Sequence, residues 1–183
     1  VVLVLDTSSS MTALTRAGRS KLDAAVGAAR AMIDILDLDK DRASVVRFDS
    51  TAATVQPFTS DRGALIDALA TLAPGIGTRL DLGLAEAAQA VAGVPAVPDL
   101  VRAVIVLTDG KPSGTTEDAV LARAAELRAT GAMVYAIGLG DDVDPVLLGR
   151  IVTAPSQLVL APDAEDLARI YRDIARELPC ARR

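Results

Sequence analysis

The sequence predicts an α/β sandwich, a mostly parallel sheet covered by helices on both faces. Three observations predict it. Apolar runs of strand length alternate along the chain with segments of helical periodicity. Two of these runs, Val1 to Leu5 and Val101 to Leu107, are apolar almost without a break, as central strands buried on both faces must be. The chain has 183 residues and is 51% apolar, enough for a sizeable core; with only 2% aromatics, Val, Leu, Ile and Ala must build that core.

Each element follows from a local signal. Val1 to Leu5 is the first strand. Ser20-Lys21-Leu22-Asp23 reads as a capping box, after which Leu22, Val26, Ala29, Ile33 and Leu36 keep helical spacing. Ala43 to Phe48 and Thr54 to Phe58 read as strands, and the short Asp49-Ser50-Thr51 link makes them an antiparallel hairpin. Asp61 is placed to cap a helix carrying Leu65, Ile66, Leu69 and Leu72. The glycine-rich stretch "PGIGTRLDLGL" runs into a helix with Leu80, Leu84, Ala88 and Val91, and "GVPAVPDL" breaks it. The strand in "VRAVIVLTDG" follows, then a helix from Glu117 to Thr130 stopped by Gly131. Met133 to Leu139 is another buried strand. Asp144-Pro145 combines an N-cap with a first-turn proline, opening a short helix over Val146 to Val152. Gln157 to Leu160 is the last strand. Asp163 is expected to cap a final helix with Leu167, Ile170, Tyr171, Ile174 and Leu178 on one face. No linker divides the chain, so residues 1–183 are expected to form one domain. A chain that starts inside a strand reads as a piece of a longer protein.

Composition excludes some function classes. The net charge is −5 and there is no dense basic run, which argues against binding nucleic acid by phosphate neutralisation. Cys180 is the only cysteine, so no disulfide can form within the chain; a free thiol and a bond to something beyond it both stay open. No apolar run is long enough to cross a bilayer, so no membrane insertion by this domain is expected. Localisation is left open.

In parallel sheets, ligands bind outside the carboxyl ends of the strands. Two strand ends here are rich in oxygen. "VVLVLDTSSSM" places Asp6, Ser8 and Ser10 after the first strand, and "LTDG" places Asp109 after a later one. If these strands are neighbours, two carboxylates and two hydroxyls meet at one edge of the sheet. The Gly75-Ile76-Gly77-Thr78 loop is placed to add a third hydroxyl. The chain has no histidine, so an all-oxygen set favours a hard cation over zinc or copper. Magnesium suits such a set because it keeps waters in a near-octahedral shell. Plainer readings stand beside this one. The serines fit simple turn hydrogen bonds, Thr78 with Asp81 fits a helix capping box, and Asp109-Gly110 fits a turn.

Taken together, "DTSSS", "GIGTRL" and "LTDG" resemble the metal ion-dependent adhesion site of the von Willebrand factor type A domain family, which includes integrin inserted domains. That site is D-x-S-x-S, a separate threonine, and an aspartate often in T-D-G. The similarity covers roughly Val1 to Leu178, including "VVRFDS" and "VYAIGLG". One departure is Ser9, where many members have glycine, at a position that is not a ligand. The resemblance implies a Rossmann-like three-layer fold, a six-stranded sheet of order 3-2-1-4-5-6, and an antiparallel third strand at one edge. It implies metal ligation by Asp6, Ser8, Ser10, Thr78 and Asp109. By the same resemblance, the three hydroxyls are expected to touch the ion and the aspartates to act largely through water. The implied ion is Mg2+, with Mn2+ or Ca2+ as substitutes. An Asp or Glu of a protein partner is then expected to complete its shell, and the isolated domain is expected to be monomeric. Met11, Thr12, Arg79, Lys111 and Asp141 are expected on the rim by their sequence proximity to the ligands.

Other classes fit less well. Haloacid dehalogenase-like phosphatases also use magnesium and an aspartate after a first buried strand, which would make Asp6 a nucleophile. Their D-x-D motif, however, has its second acid where this chain has Ser8. Gly75-Ile76-Gly77 and Gly138-Leu139-Gly140 each lack the third glycine of a dinucleotide fingerprint, and Ile105 stands where a phosphate-binding loop ending in Gly110-Lys111 needs its first glycine. A structural domain with an unused metal site is the remaining alternative to an adhesion-type, non-enzymatic module.

Overall fold

The computed structural model of the chain describes residues 1–95 and 100–178. Cys180 and much of the "GVPAVPDL" breaker lie outside the described residues. In chain order the elements are β1 (Val2–Asp6), α1 (Lys21–Ile33), β2 (Ala43–Phe48), β3 (Ala52–Thr59), α2 (Arg62–Ala70), α3 (Leu80–Ala92), β4 (Ala103–Thr108), α4 (Glu117–Ala129), β5 (Met133–Leu139), α5 (Pro145–Ile151), β6 (Leu158–Ala161) and α6 (Leu167–Glu177). Short 3₁₀ turns occupy Ser9–Thr12, Pro155–Gln157 and Ala164–Asp166.

The sheet runs β3-β2-β1-β4-β5-β6. Only the β2–β3 hairpin pairs antiparallel. This is the order and polarity that the family resemblance implies. It meets the condition on which the site depends, because β1 and β4 are direct neighbours with Leu5 beside Leu107. The chain leaves β1 toward β2 on one side and enters β4 on the other, which makes the β1/β4 boundary the topological switch point of the sheet.

Strand alternation divides the core into two layers. Leu3, Leu5, Ile105, Leu107 and Ile137 pack with buried residues of α1, α2 and α6. Val2, Val4, Val104, Val106 and Val134 pack with α3, α4 and α5. All ten are 0% exposed. Burying a Val, Leu or Ile side chain contributes about 1.5–3 kcal/mol, so the sheet is held by its own apolar faces.

The helix starts follow their caps. Ser20 Oγ accepts from Asp23 N at 3.0 Å, Asp61 Oδ1 from Ala64 N at 3.1 Å, and Asp144 Oδ1 from Val146 N and Leu147 N at 3.0 Å. Asp163 departs from expectation. A 3₁₀ turn follows it, and its carboxylate pairs with Arg16 at 3.0 Å instead of capping α6. Met11 also departs: it is fully buried in the layer of α1 and α6, and so it is core rather than rim. The 3₁₀ turn at Ser9–Thr12 leaves Ser9, Ser10 and Thr12 exposed while Met11 alone is buried.

Candidate metal site

β1 carries Asp6 as its last residue, buried at 0% exposure. Both carboxylate oxygens are already in use. Ser8 N donates to Oδ1 at 2.8 Å, and the Thr108 hydroxyl donates to Oδ2 at 2.6 Å. Burial pushes the Asp6 carboxyl above its ordinary value; the hydrogen bonds from Ser8 and Thr108 pull it back, and the Asp109 charge adds to the rise. A chain of oxygens then crosses the strand ends. Ser8 Oγ and Ser10 Oγ are 2.9 Å apart, and the Ser10 hydroxyl donates to Asp109 Oδ1 at 2.6 Å. Asp109 Oδ2 accepts from Lys21 Nζ at 2.8 Å. The structure therefore brings Asp6, Ser8, Ser10 and Asp109 into one connected group at the β1/β4 boundary.

Thr78 reaches the neighbourhood by a different route. Its loop is tied to the segment after β1 and to the β2–β3 hairpin. Gly75 N donates to Thr7 O at 2.6 Å, and Arg79 N to Asp49 O at 2.7 Å. Glycine is required at both loop positions. A β-carbon on Gly75 would lie 2.3 Å from Asp49 Oδ2, and Gly77 has φ of +76°. Thr78 N donates to Ser113 Oγ at 2.9 Å, and Ser113 N returns a bond to Thr78 O at 3.0 Å, which ties Thr78 to the segment following Asp109. The capping-box reading of Thr78 is replaced. Arg79 is the N-cap residue of α3, and Asp81 takes the Arg79 guanidinium at 2.9 and 2.7 Å. Thr78 is itself buried.

The donor set suits a hard cation. Among the described residues no three His, Cys, Asp or Glu side chains cluster as a metal would need, so a metal here must draw on hydroxyls. The 2.9 Å separation of Ser8 Oγ and Ser10 Oγ matches the edge of an octahedron with ligand distances of about 2.0–2.1 Å. Of the residues expected on the rim, Thr12, Lys111 and Asp141 are exposed, whereas Arg79 is held by Asp81 and is not a free cation. Asp6 is poorly set to act as a phosphatase nucleophile, since both of its oxygens already accept hydrogen bonds.

Three contributors escaped the sequence reading. Thr108 was legible only as the T of T-D-G, Lys21 only as part of a capping box, and Asp49 only as a hairpin link. Burial of polar residues at strand ends is the signal that marks Thr108 and Asp49 in the structure.

The model of the von Willebrand factor type A domain matches residues 1–173. The chain belongs to this family. Matrilin-1 from Homo sapiens is 31% identical over 134 residues, covering 68% of this chain and 26% of its own length. The chain thus spans about a quarter of the length of the curated relatives it matches. Among solved structures, the von Willebrand factor type A protein from Catenulispora acidiphila is similar with a TM-score of 0.81 and 25% identity, over 95% of this chain and 41% of that one. Proximal thread matrix protein 1 from the mussel byssus, with a zinc-occupied MIDAS motif, has a TM-score of 0.79 at 22% identity, over 96% of this chain and 44% of that one. Type A domains typically act as metal-dependent protein-interaction modules. Among the described residues of this type A domain, no helix is long and apolar enough to cross a membrane.

Proposed function

We propose that this domain binds a protein partner through a divalent metal ion held by Asp6, Ser8, Ser10, Thr78 and Asp109, and that it catalyses no reaction. The observation that carries the reading is the continuous hydrogen-bonded path from Asp6 through the Ser8 amide, and from the Ser8 hydroxyl through Ser10 to Asp109, at the switch point of the sheet. Ser8, Ser10 and Thr78 would contact the ion and the two aspartates would act largely through water. When bound, the ion supplies an electrophilic point that neutral hydroxyls leave poorly compensated. A carboxylate from a partner's Asp or Glu answers that charge. Mg2+ is the proposed ion, with Mn2+ or Ca2+ as substitutes. Zinc belongs in the same competition, since the byssus protein carries it at its own motif. The isolated domain is proposed to be monomeric, and residues 1–183 to form one domain of a longer protein.

The test is a pull-down in magnesium. A partner captured through this site is released by chelator, is lost with Thr78→Ala, and is lost when one partner carboxylate becomes its amide. A partner that binds equally well without metal and to Thr78→Ala contradicts the mechanism.

A further inference from the structure

Lys21 is the first residue of α1, at the end where a helix already presents positive charge. A lysine gains nothing from that helix end, yet its side chain is only 21% exposed and its Nζ sits 2.8 Å from Asp109 Oδ2. Asp109 itself has a side-chain exposure of 0%. The ammonium crosses the top of the sheet as far as the end of β5, where a β-carbon on Gly140 would be 3.7 Å from it. Leu14, Leu139, Pro162 and Ala164 line the same cleft. The acid in that cleft, Asp163, is paired with Arg16. Lys21 is therefore committed to Asp109.

We propose that Lys21 is a positioning residue of the metal site, an internal cation that stays on Asp109 when a divalent ion binds. The inference rests on the metal-binding reading above and adds a consequence of its own. With Ser10 on Oδ1 and Lys21 on Oδ2, Asp109 has both oxygens engaged and is held back from direct ligation. The ammonium also offsets one of the two carboxylate charges. A divalent ion beside Asp6 and Asp109 then keeps net positive charge, where without Lys21 it would be neutralised. The site gives up affinity for the bare ion and gains attraction for an incoming carboxylate. Lys21 sets the balance between holding the metal and presenting it.

The experiment compares wild type, Lys21→Met and Lys21→Arg, each stripped with chelator and checked for fold by circular dichroism. Mn2+ is titrated with water-proton relaxation as the readout, and acetate is then titrated into the metal-loaded protein as the carboxylate probe. Lys21→Met should bind Mn2+ more tightly, by on the order of tenfold, and should bind acetate more weakly by several-fold. Lys21→Arg, which keeps the charge, should stay near wild type on both axes. In ammonium-detected NMR, the Lys21 signal, identified by its loss in Lys21→Arg, should persist and shift when Mg2+ is added. Wild type that binds metal while Lys21→Met binds it equally or more weakly overturns the inference alone. So does disappearance of the ammonium signal on metal addition. Wild type with no saturable divalent site overturns the metal reading, and the Lys21 inference falls with it. Should Lys21→Met fail to fold, Lys21→Gln takes its place with the same expected direction.

Discussion

The ends of β1 and β4 share one sequence design, an apolar strand running into hydroxyl and acid, yet the two acids live in different electrostatic surroundings. Among the described residues, Asp6 is satisfied by neutral donors alone, the Ser8 amide and the Thr108 hydroxyl. Asp109 has one neutral donor, Ser10, and one full positive charge, Lys21. A buried carboxylate with neutral partners keeps its charge unbalanced, whereas an ion-paired one does not. The lesson is that the site's negative charge is concentrated on the β1 side. Asp6 is the stronger attractor of a cation, and Asp109 is a carboxylate whose reach is already restrained.

Thr108 links the two regions, and removing its hydroxyl gives the largest effect among the supporting residues. Thr108→Val keeps the shape of the β4 end and leaves Asp6 Oδ2 without its donor. Divalent affinity should fall about 10–100-fold, the range typical of residues that orient a metal ligand. Titration of the chelator-stripped variant checks this, and affinity within twofold of wild type would show that Thr108 serves only the fold.

The comparison is broken most directly by neutralising each acid in turn without metal. Asp109→Asn strips Lys21 of its partner and should lower unfolding stability in chelator by about 1–3 kcal/mol. Asp6→Asn removes a buried charge that has no counter-ion and should change stability by less than about 1 kcal/mol, in either direction. Urea denaturation of both variants gives the two numbers. Equal losses would mean that the two acids are equivalent and the asymmetry is wrong.

A smaller effect comes from the hairpin that supports the Thr78 loop. Burial raises the Asp49 carboxyl, but the Thr51 amide and hydroxyl together with the Arg47 charge outweigh it, and the group lies below its ordinary value of 3.8. A carboxyl depressed in the folded state adds stability above its unfolded value and loses it as the pH falls through the folded one. Asp49→Asn should therefore cost about 1–2 kcal/mol at pH 7 and flatten the acid limb of the stability profile below about pH 4. A variant whose stability falls with acid as steeply as wild type would place that titration elsewhere.

Much of this was legible in the chain itself. Val2–Leu5 and Val104–Leu107 announce buried parallel strands because continuous apolar runs have no other comfortable place. The hairpin is marked by its three-residue link, and the strand order followed from the resemblance carried by three short motifs. Four of the five candidate ligands are joined by hydrogen bonds, and the fifth, Thr78, is tied to Ser113 beyond Asp109. What could not be read was pairing over long separations. Lys21 meets Asp109 across 88 positions and Thr108 meets Asp6 across 102, and no periodicity encodes such meetings. Met11 and Asp163 were misplaced for a local reason: each sits at a 3₁₀ turn, whose three-residue pitch moves side chains away from where a helix or open loop would put them.

Calorimetric titration of Mg2+ into chelator-stripped protein, with Asp6→Ala and Asp109→Ala alongside, tests the central claim most directly. Wild type should show one saturable divalent site, and each variant should lose it by more than about a hundredfold, as loss of a charged ligand demands. Circular dichroism should show all three still folded, because the two apolar layers do not depend on the ion and metal removal costs only the linkage energy, about 2.7 kcal/mol at a hundredfold excess over Kd. Absence of saturable binding in wild type, or unchanged binding in both variants, would contradict the account.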